Sequence, residues 1–330
     1  MPNISSLLNQ SLVRFPGPPE LPVFQPNVGT GGDEENCSKQ LDFIFWIING
    51  LLGVFILSGN TVTCAAFLRF ENLRRSYMNL FLLSLAICDV LMAVTVAPGY
   101  AAFCTGCRYR LSKFCWIFEG TKDVCFLSST FNLLAISYDR QLAIFQPLKY
   151  QTKMSRKKLR YILSAVWITP FCLASVRNIW SHNQPPHVVE QWNRTYSYVL
   201  LCVFVIVPII IVSVINAAIF TAIRRQRRRI TAFNHNNYKY WWKKKHRMQY
   251  IQMRKGTLSC VLVVITFVVF WLPRNFYYFF YLFDHSELVT PLLSKISVTF
   301  LLFQSSTNPL IYCFYRREFR QAVRTLIKCQ

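Results

Sequence analysis

Seven stretches of mostly apolar residues, at about 42–68, 77–103, 113–145, 158–180, 197–224, 256–283 and 289–315, dominate this chain. A helix crossing the hydrocarbon core of a bilayer needs about 20 such residues at ~1.5 Å rise each, and every stretch is long enough. Composition agrees. Of the 330 residues 53% are hydrophobic and only 15% charged, too few charges to clothe a soluble domain of this size. The loops are short and no internal repeat is visible, so consecutive helices should be antiparallel neighbours in one bundle. The expected fold is all-α: a seven-transmembrane-helix bundle over 42–315, preceded by a segment at 1–41. A short amphipathic helix and tail over 316–330 should lie along the membrane.

Charge orients the bundle. The net charge is +23, and 27 of the 37 Lys and Arg residues fall in the segments after spans one, three, five and seven. Those segments hold only Glu71, Asp139 and Glu318 as acids, so they carry +24 while the rest of the chain carries −1. Basic loops stay in the cytoplasm. The N-terminus is therefore expected outside, in a multi-pass protein of the plasma membrane. The glycosylation sequons at Asn3, Asn9, Asn36 and Asn193 all fall on that outer side. Residues 1–41 contain no apolar core of the signal-peptide kind, so span one should act as the export signal.

Polar residues in hydrocarbon are costly and mark function by default. They recur here in a fixed order: Gly59-Asn60 in span one, Leu83-Ser-Leu-Ala-Ile-Cys-Asp89 in span two, and Ser137-Tyr-Asp139-Arg140 closing span three before Pro147-Leu148. Trp167 and Pro208 follow in spans four and five. Span six has Phe267-Val-Val-Phe-Trp271-Leu-Pro273, and span seven Asn308-Pro309-Leu-Ile-Tyr312 with Phe319 beyond. This series resembles the rhodopsin-like (class A) G-protein-coupled receptors over residues 42–329. The stretch Asn132–Arg140 looks most like receptors for biogenic amines.

The resemblance implies a receptor that binds an extracellular small-molecule or peptide ligand and drives nucleotide exchange on a heterotrimeric G protein. It implies that Asp89, Ser129, Asn60 and Asn308 hold sodium as an allosteric ion, and no other cofactor is expected. It implies that Asp139 and Arg140 hold the resting state and that Leu148 is an apolar knob for the G protein. Pro273 and Pro309 interrupt helical hydrogen bonds and allow hinges, with Phe267 and Trp271 as the packing switch above. Four departures stand out. Gln141 and Asn216 replace residues that are usually Tyr in the family, and Thr130 replaces an aliphatic one. Met253-Arg254-Lys255 offers no acid at the start of span six. Without an acid there to latch Arg140, ligand-independent signalling is expected.

Helical spacing picks out the upper pocket. Lys122 lies eighteen residues, five turns, before Arg140, and Phe267, Trp271, Arg274 and Tyr278 share one face of span six. With Phe126, and Lys295 and Arg177 at the rim, these residues form the expected ligand site. In the amine receptors that this text resembles, an Asp occupies the position of Lys122; here Asp123 comes one residue later. Leu302 stands where a retinal-binding protein would have its lysine, so retinal is excluded. Two readings stay open: Lys122 and Arg274 are counter-charges for an acidic ligand, or they are structural, paired with Glu119 and Asp123. In the second case Asp123 is left to serve an amine.

The family's usual disulfide joins the top of span three to the second outer loop. Cys115 is the expected span-three partner, but residues 181–197 contain no cysteine. Cys37, Cys104 and Cys107 are the other outer cysteines, and four cysteines allow three pairings. Cys104 or Cys107 is the favoured mate of Cys115. Cys329 is a palmitoylation candidate. The basic, aromatic run Tyr238–Arg247, set between two spans, points to membrane lipids or a helical extension rather than nucleic acid. No nucleophile–base constellation, phosphate loop or carboxylate pair supports an enzyme. The competing readings are a non-signalling heptahelical partner of another receptor and, with no repeat to support it, a transporter or channel.

Overall fold

The computed structural model describes residues 39–100, 115–176, 185–233, 240–282, 288 and 290–328. Seven long helices, a twelve-residue helix and short helical turns at Glu71–Arg74, Pro147–Lys149 and Tyr150–Lys153 make up this part of the chain. In chain order, the helices begin with α1 (Lys39–Arg69), α2 (Tyr77–Leu91, continued by a π-helical stretch Met92–Tyr100), α3 (Cys115–Phe145) and α4 (Arg156–Val176). Then come α5 (Pro186–Val199, a π-helical stretch Leu200–Ile206, and Val207–Phe233), α6 (Tyr240–Leu282), α7 (Pro291–Tyr315) and α8 (Arg317–Lys328). Among the described residues there is no strand.

Local chemistry sets several boundaries. Thr290 caps α7, its hydroxyl accepting from the Leu293 N–H at 3.1 Å, and Pro291 at the first helical position has no N–H to waste. Ser155 does the same for α4, accepting from the Lys158 N–H at 3.2 Å. The wide turns sit at prolines. Pro98 lies inside the π-helical end of α2, and Pro208 directly follows that of α5. A proline cannot donate to the carbonyl one turn back, so the helix must re-route its bonding there.

Five helical stretches, Gln40–Arg69, Tyr77–Ala97, Arg156–Val176, His187–Arg225 and Thr257–Phe280, are apolar and long enough to cross a membrane by length and composition. Helices α3 and α7 have the length, 31 and 25 residues, but carry more polar side chains. These point inward: Ser128, Ser129, Asn132 and Ser137 on α3 and Lys295, Gln304 and Asn308 on α7 are all buried. Large apolar side chains such as Leu51, Val54, Phe171, Val214 and Phe276 are exposed instead, the inside-out arrangement that lipid permits.

Close packing and a few cross-helix hydrogen bonds fix the bundle. A Cβ added at Gly53 would lie 2.9 Å from that of Ala97, and one at Gly59 would lie 3.2 Å from Pro309 Cγ, so α1 sits tightly on α2 and α7. Trp167 Nε1 donates to Ser84 Oγ at 3.0 Å, tying α4 to α2. The Tyr196 hydroxyl donates to the Leu173 carbonyl at 2.7 Å, tying α5 to α4. The ring of Phe319 on α8 lies 5.6 Å from Phe67 and 5.8 Å from Tyr312, which seats α8 beneath α1 and α7.

Two helices are longer than their apolar runs. Helix α5 begins at Pro186 rather than near 197, and α6 at Tyr240 rather than near 256. The added turns are polar and basic, so hydropathy stops short of them. Good helix formers in water still propagate a helix that the membrane has already nucleated. The basic run before span six is thus a helical extension over its described part.

Candidate functional site

Three polar layers lie along the bundle axis. In the upper layer Lys122 and Arg274 are both buried and converge on one phenol: Lys122 Nζ is 3.4 Å from the Tyr278 hydroxyl, and Arg274 Nη2 is 3.3 Å from it. Lys122 Nζ also lies 3.7 Å from Asp123 Oδ1. Arg274 donates to Ser297 Oγ at 3.3 Å, and its guanidinium sits 4.7 Å from the ring centres of both Tyr277 and Tyr278. Below them Phe126 stacks on Trp271 with centroids 3.6 Å apart, and on Phe267 at 6.1 Å.

Lys295 lies in the first turns of α7, where it is buried and its ammonium forms an ion pair with Asp42 of α1. One sequence expectation is corrected here. Asn193 is not in an exposed loop. It lies within α5 with its side chain buried, so that sequon does not face solvent in this conformation. Asp123 lies 3.7 Å from Lys122, and the expected pairing of Lys122 with Glu119 falls outside the described side chains. The side chains of Glu119 and Cys115 are outside the described residues, as are Arg177, Cys37, Cys104, Cys107, Cys329, Asn3, Asn9 and Asn36.

The middle layer centres on Asp89, which is buried. Asn308 Nδ2 donates to it at 2.7 Å, and Ser305 is a second hydrogen-bond partner. Asn60 reaches the cluster through Ser305, its Nδ2 donating to the Ser305 carbonyl at 3.2 Å. The partner of Ser129 is the Cys88 thiol. Sequence reasoning missed Ser305, which lies one helical turn before Asn308 and so shares its face. The buried Oδ1 atoms of Asn60 and Asn308 have no hydrogen-bond partner. A carboxylate with spare amide oxygens nearby is the donor chemistry of a hard cation, so these residues fit a sodium ion.

In the lower layer Asp139, with no exposed surface, takes Arg140 Nε at 3.0 Å and Nη2 on one oxygen and the Tyr150 hydroxyl at 2.7 Å on the other. Tyr150 was not anticipated. It opens the one-turn helix Tyr150–Lys153, which folds the loop after α3 back under that helix. Burial, then the charge of Asp139, pushes its phenol above the ordinary value, which keeps it a donor. Leu148, just before it, is 96% exposed. Asn216 donates to Ser137 Oγ at 2.8 Å, joining α5 to α3. Thr130 turns its hydroxyl back to the Phe126 carbonyl at 3.0 Å. Tyr312 is buried behind Phe319, and Pro273 and Pro309 lie inside α6 and α7.

Residues 59–312 match the family described as 7 transmembrane receptor (rhodopsin family). The chain is 27% identical to the D(1)-like dopamine receptor of Takifugu rubripes, covering 92% of this chain and 75% of that protein. It is 28% identical to the D(1) dopamine receptor of Carassius auratus, over 84% of this chain and 87% of that one. The histamine H2 receptor of Homo sapiens is 25% identical, over 86% and 79% of the two chains.

Proposed function

The chain belongs to the rhodopsin family of seven-transmembrane receptors, and from that premise we propose that it binds a small molecule bearing an acidic group between α3, α6 and α7. It is a multi-pass plasma-membrane receptor and not an enzyme. In the proposal its N-terminus is outside, and occupancy of the upper layer favours the state that activates a heterotrimeric G protein.

One observation carries the ligand class: buried Lys122 and Arg274 converge on the Tyr278 hydroxyl. Lys122, Arg274 and Lys295 bring three cations into this layer, with Asp123 near Lys122 and Asp42 paired to Lys295. Buried cations are costly in low dielectric. The faces of Tyr277 and Tyr278 offset part of that cost for Arg274, and a ligand carboxylate would offset the rest through charge-assisted bonds. The relatives named for dopamine and histamine favour a second reading, in which Asp123 holds an amine. Asp123, however, has Lys122 at 3.7 Å, which competes with any ligand cation.

For the ion, we propose that sodium sits among Asp89, Asn308, Asn60 and Ser129 and stabilises the resting state.

The test is a panel of small carboxylic acids and amines applied to the purified receptor, read as GTP binding by several G-protein classes. Acids should activate, and Lys122→Ala should lower their potency at least about tenfold, ~1.4 kcal/mol, while leaving surface expression intact. Activation by amines that survives Lys122→Ala and fails in Asp123→Ala would establish the second reading instead.

A further inference from the structure

Arg316 occupies the elbow between α7 and α8, where its backbone N–H donates to the Tyr312 carbonyl at 2.9 Å. The side chain is only 8% exposed, yet its Nη1 has no hydrogen-bond partner. Tyr312, one turn earlier and 1% exposed, has an equally unpartnered hydroxyl. Two buried donors are therefore left unmet one helical turn apart in sequence, each within electrostatic reach of the other. Arg140, Cys260 and Glu318 are the other charged or titratable groups that Arg316 feels besides Tyr312. None of them neutralises it. The charge of Arg140 is taken up by Asp139, Cys260 is a buried thiol, and Glu318 is exposed and forms no ion pair with Arg316.

We propose that Arg316 and Tyr312 form an anion seat at the cytosolic end of the bundle, which takes a phosphate-type oxyanion. A guanidinium is planar and presents parallel donors that match phosphate oxygens, and a phenol adds a donor from a second direction. A buried charge and hydroxyl without partners are costly, so filling the seat stabilises the packing of α7 on α8. Arg317, Arg320, Arg324 and Lys328 are exposed on α8, and their positive charge draws anions from solution or from anionic headgroups. The oxyanion comes either from free phosphate or from a lipid phosphomonoester. The inference needs the fold and not the ligand proposed for the upper layer.

The experiment uses the full chain in nanodiscs, without agonist or G protein, and reads the thermal unfolding midpoint. One arm titrates inorganic phosphate against chloride at constant ionic strength in phosphatidylcholine discs. The other replaces part of that lipid with phosphatidylinositol bisphosphate. The midpoint should rise saturably, by about 4 °C at roughly a hundred times Kd. Arg316→Gln should abolish the rise, Tyr312→Phe should weaken the affinity several-fold, and Gln321→Ala, at an exposed uncharged position on α8, should respond like the parent. A rise in the phosphate arm identifies a soluble anion, and a rise in the phosphoinositide arm alone identifies a lipid headgroup. No rise in either arm overturns the proposal. So does a full response in Arg316→Gln or, if that variant fails to fold, undiminished affinity in Tyr312→Phe.

Discussion

Asp139 near the C-terminal end of α3 receives donors from both Arg140 and Tyr150, at 3.0 Å and 2.7 Å. Lys122, near the other end of the same helix, has Asp123 at 3.7 Å and Tyr278 at 3.4 Å among its partners. The lower cluster is tight, nearly closed and made of residues close in sequence. The upper one is looser and joins α3 to α6, while Lys295 of α7 reaches Asp42 of α1. A tight local cluster suits a latch that must hold one state until it is broken. A looser assembly of charges from several helices suits a pocket whose last partner arrives from outside.

The sharpest way to separate the two ends is Arg140→Ala. It should cut G-protein nucleotide exchange at least about tenfold, ~1.4 kcal/mol of coupling, while agonist binding at the upper layer changes far less. Equal losses at both ends would erase the distinction.

Next is the layer between them. Asp89→Ala leaves the Asn308 amide without its acceptor, and losing a buried hydrogen bond to a charged group costs about 2–3 kcal/mol. The unfolding midpoint of the purified receptor should fall accordingly, and the stabilisation by added sodium expected of the parent should disappear. A variant still stabilised by sodium would place the ion elsewhere.

Tyr150→Phe removes one donor from the lower latch. A hydrogen bond of ~1 kcal/mol corresponds to about a fivefold shift in a two-state equilibrium, so basal exchange per receptor should rise by about that factor. The parent itself should show exchange that scales with receptor amount, since Met253-Arg254-Lys255 supplies no acid from α6 to hold Arg140. A flat basal signal in both proteins would mean that Asp139 and Tyr150 hold Arg140 well enough alone.

The smallest effect on stability belongs to Leu148→Ala. The side chain is 96% exposed, so the midpoint should move by no more than ~0.5 kcal/mol equivalent. G-protein activation should nonetheless weaken, as expected of a knob that packs only against a partner. A large stability loss would show that Leu148 packs against the receptor itself.

How much was legible in the sequence follows the same division. Asp139 and Arg140 are adjacent, and Asn308 and Tyr312 are four residues apart on one helix face, so short spacing alone keeps each set together. Helical periodicity placed Phe126 and Trp271 in one pocket, but that Phe126 stacks on Trp271 and Phe267 is visible only in the structure. Lys295 and Asp42 are separated by 253 positions, and no local pattern encodes which helix top meets which. Tyr150 was missed for a related reason. It lies eleven positions from Asp139 across a loop, and only the turn at Pro147–Lys149 brings it back. The burial of Asn193 was hidden because a polar helical extension carries no hydropathy signal.

The most direct test of the whole account is nucleotide exchange on purified heterotrimeric G proteins by the receptor in nanodiscs, with and without the acid panel. The account predicts exchange that depends on receptor amount, rises with an acid that requires Lys122, and is lost in Arg140→Ala. Exchange on every G-protein class that is the same with the receptor as without it, whatever compound is added, would contradict it.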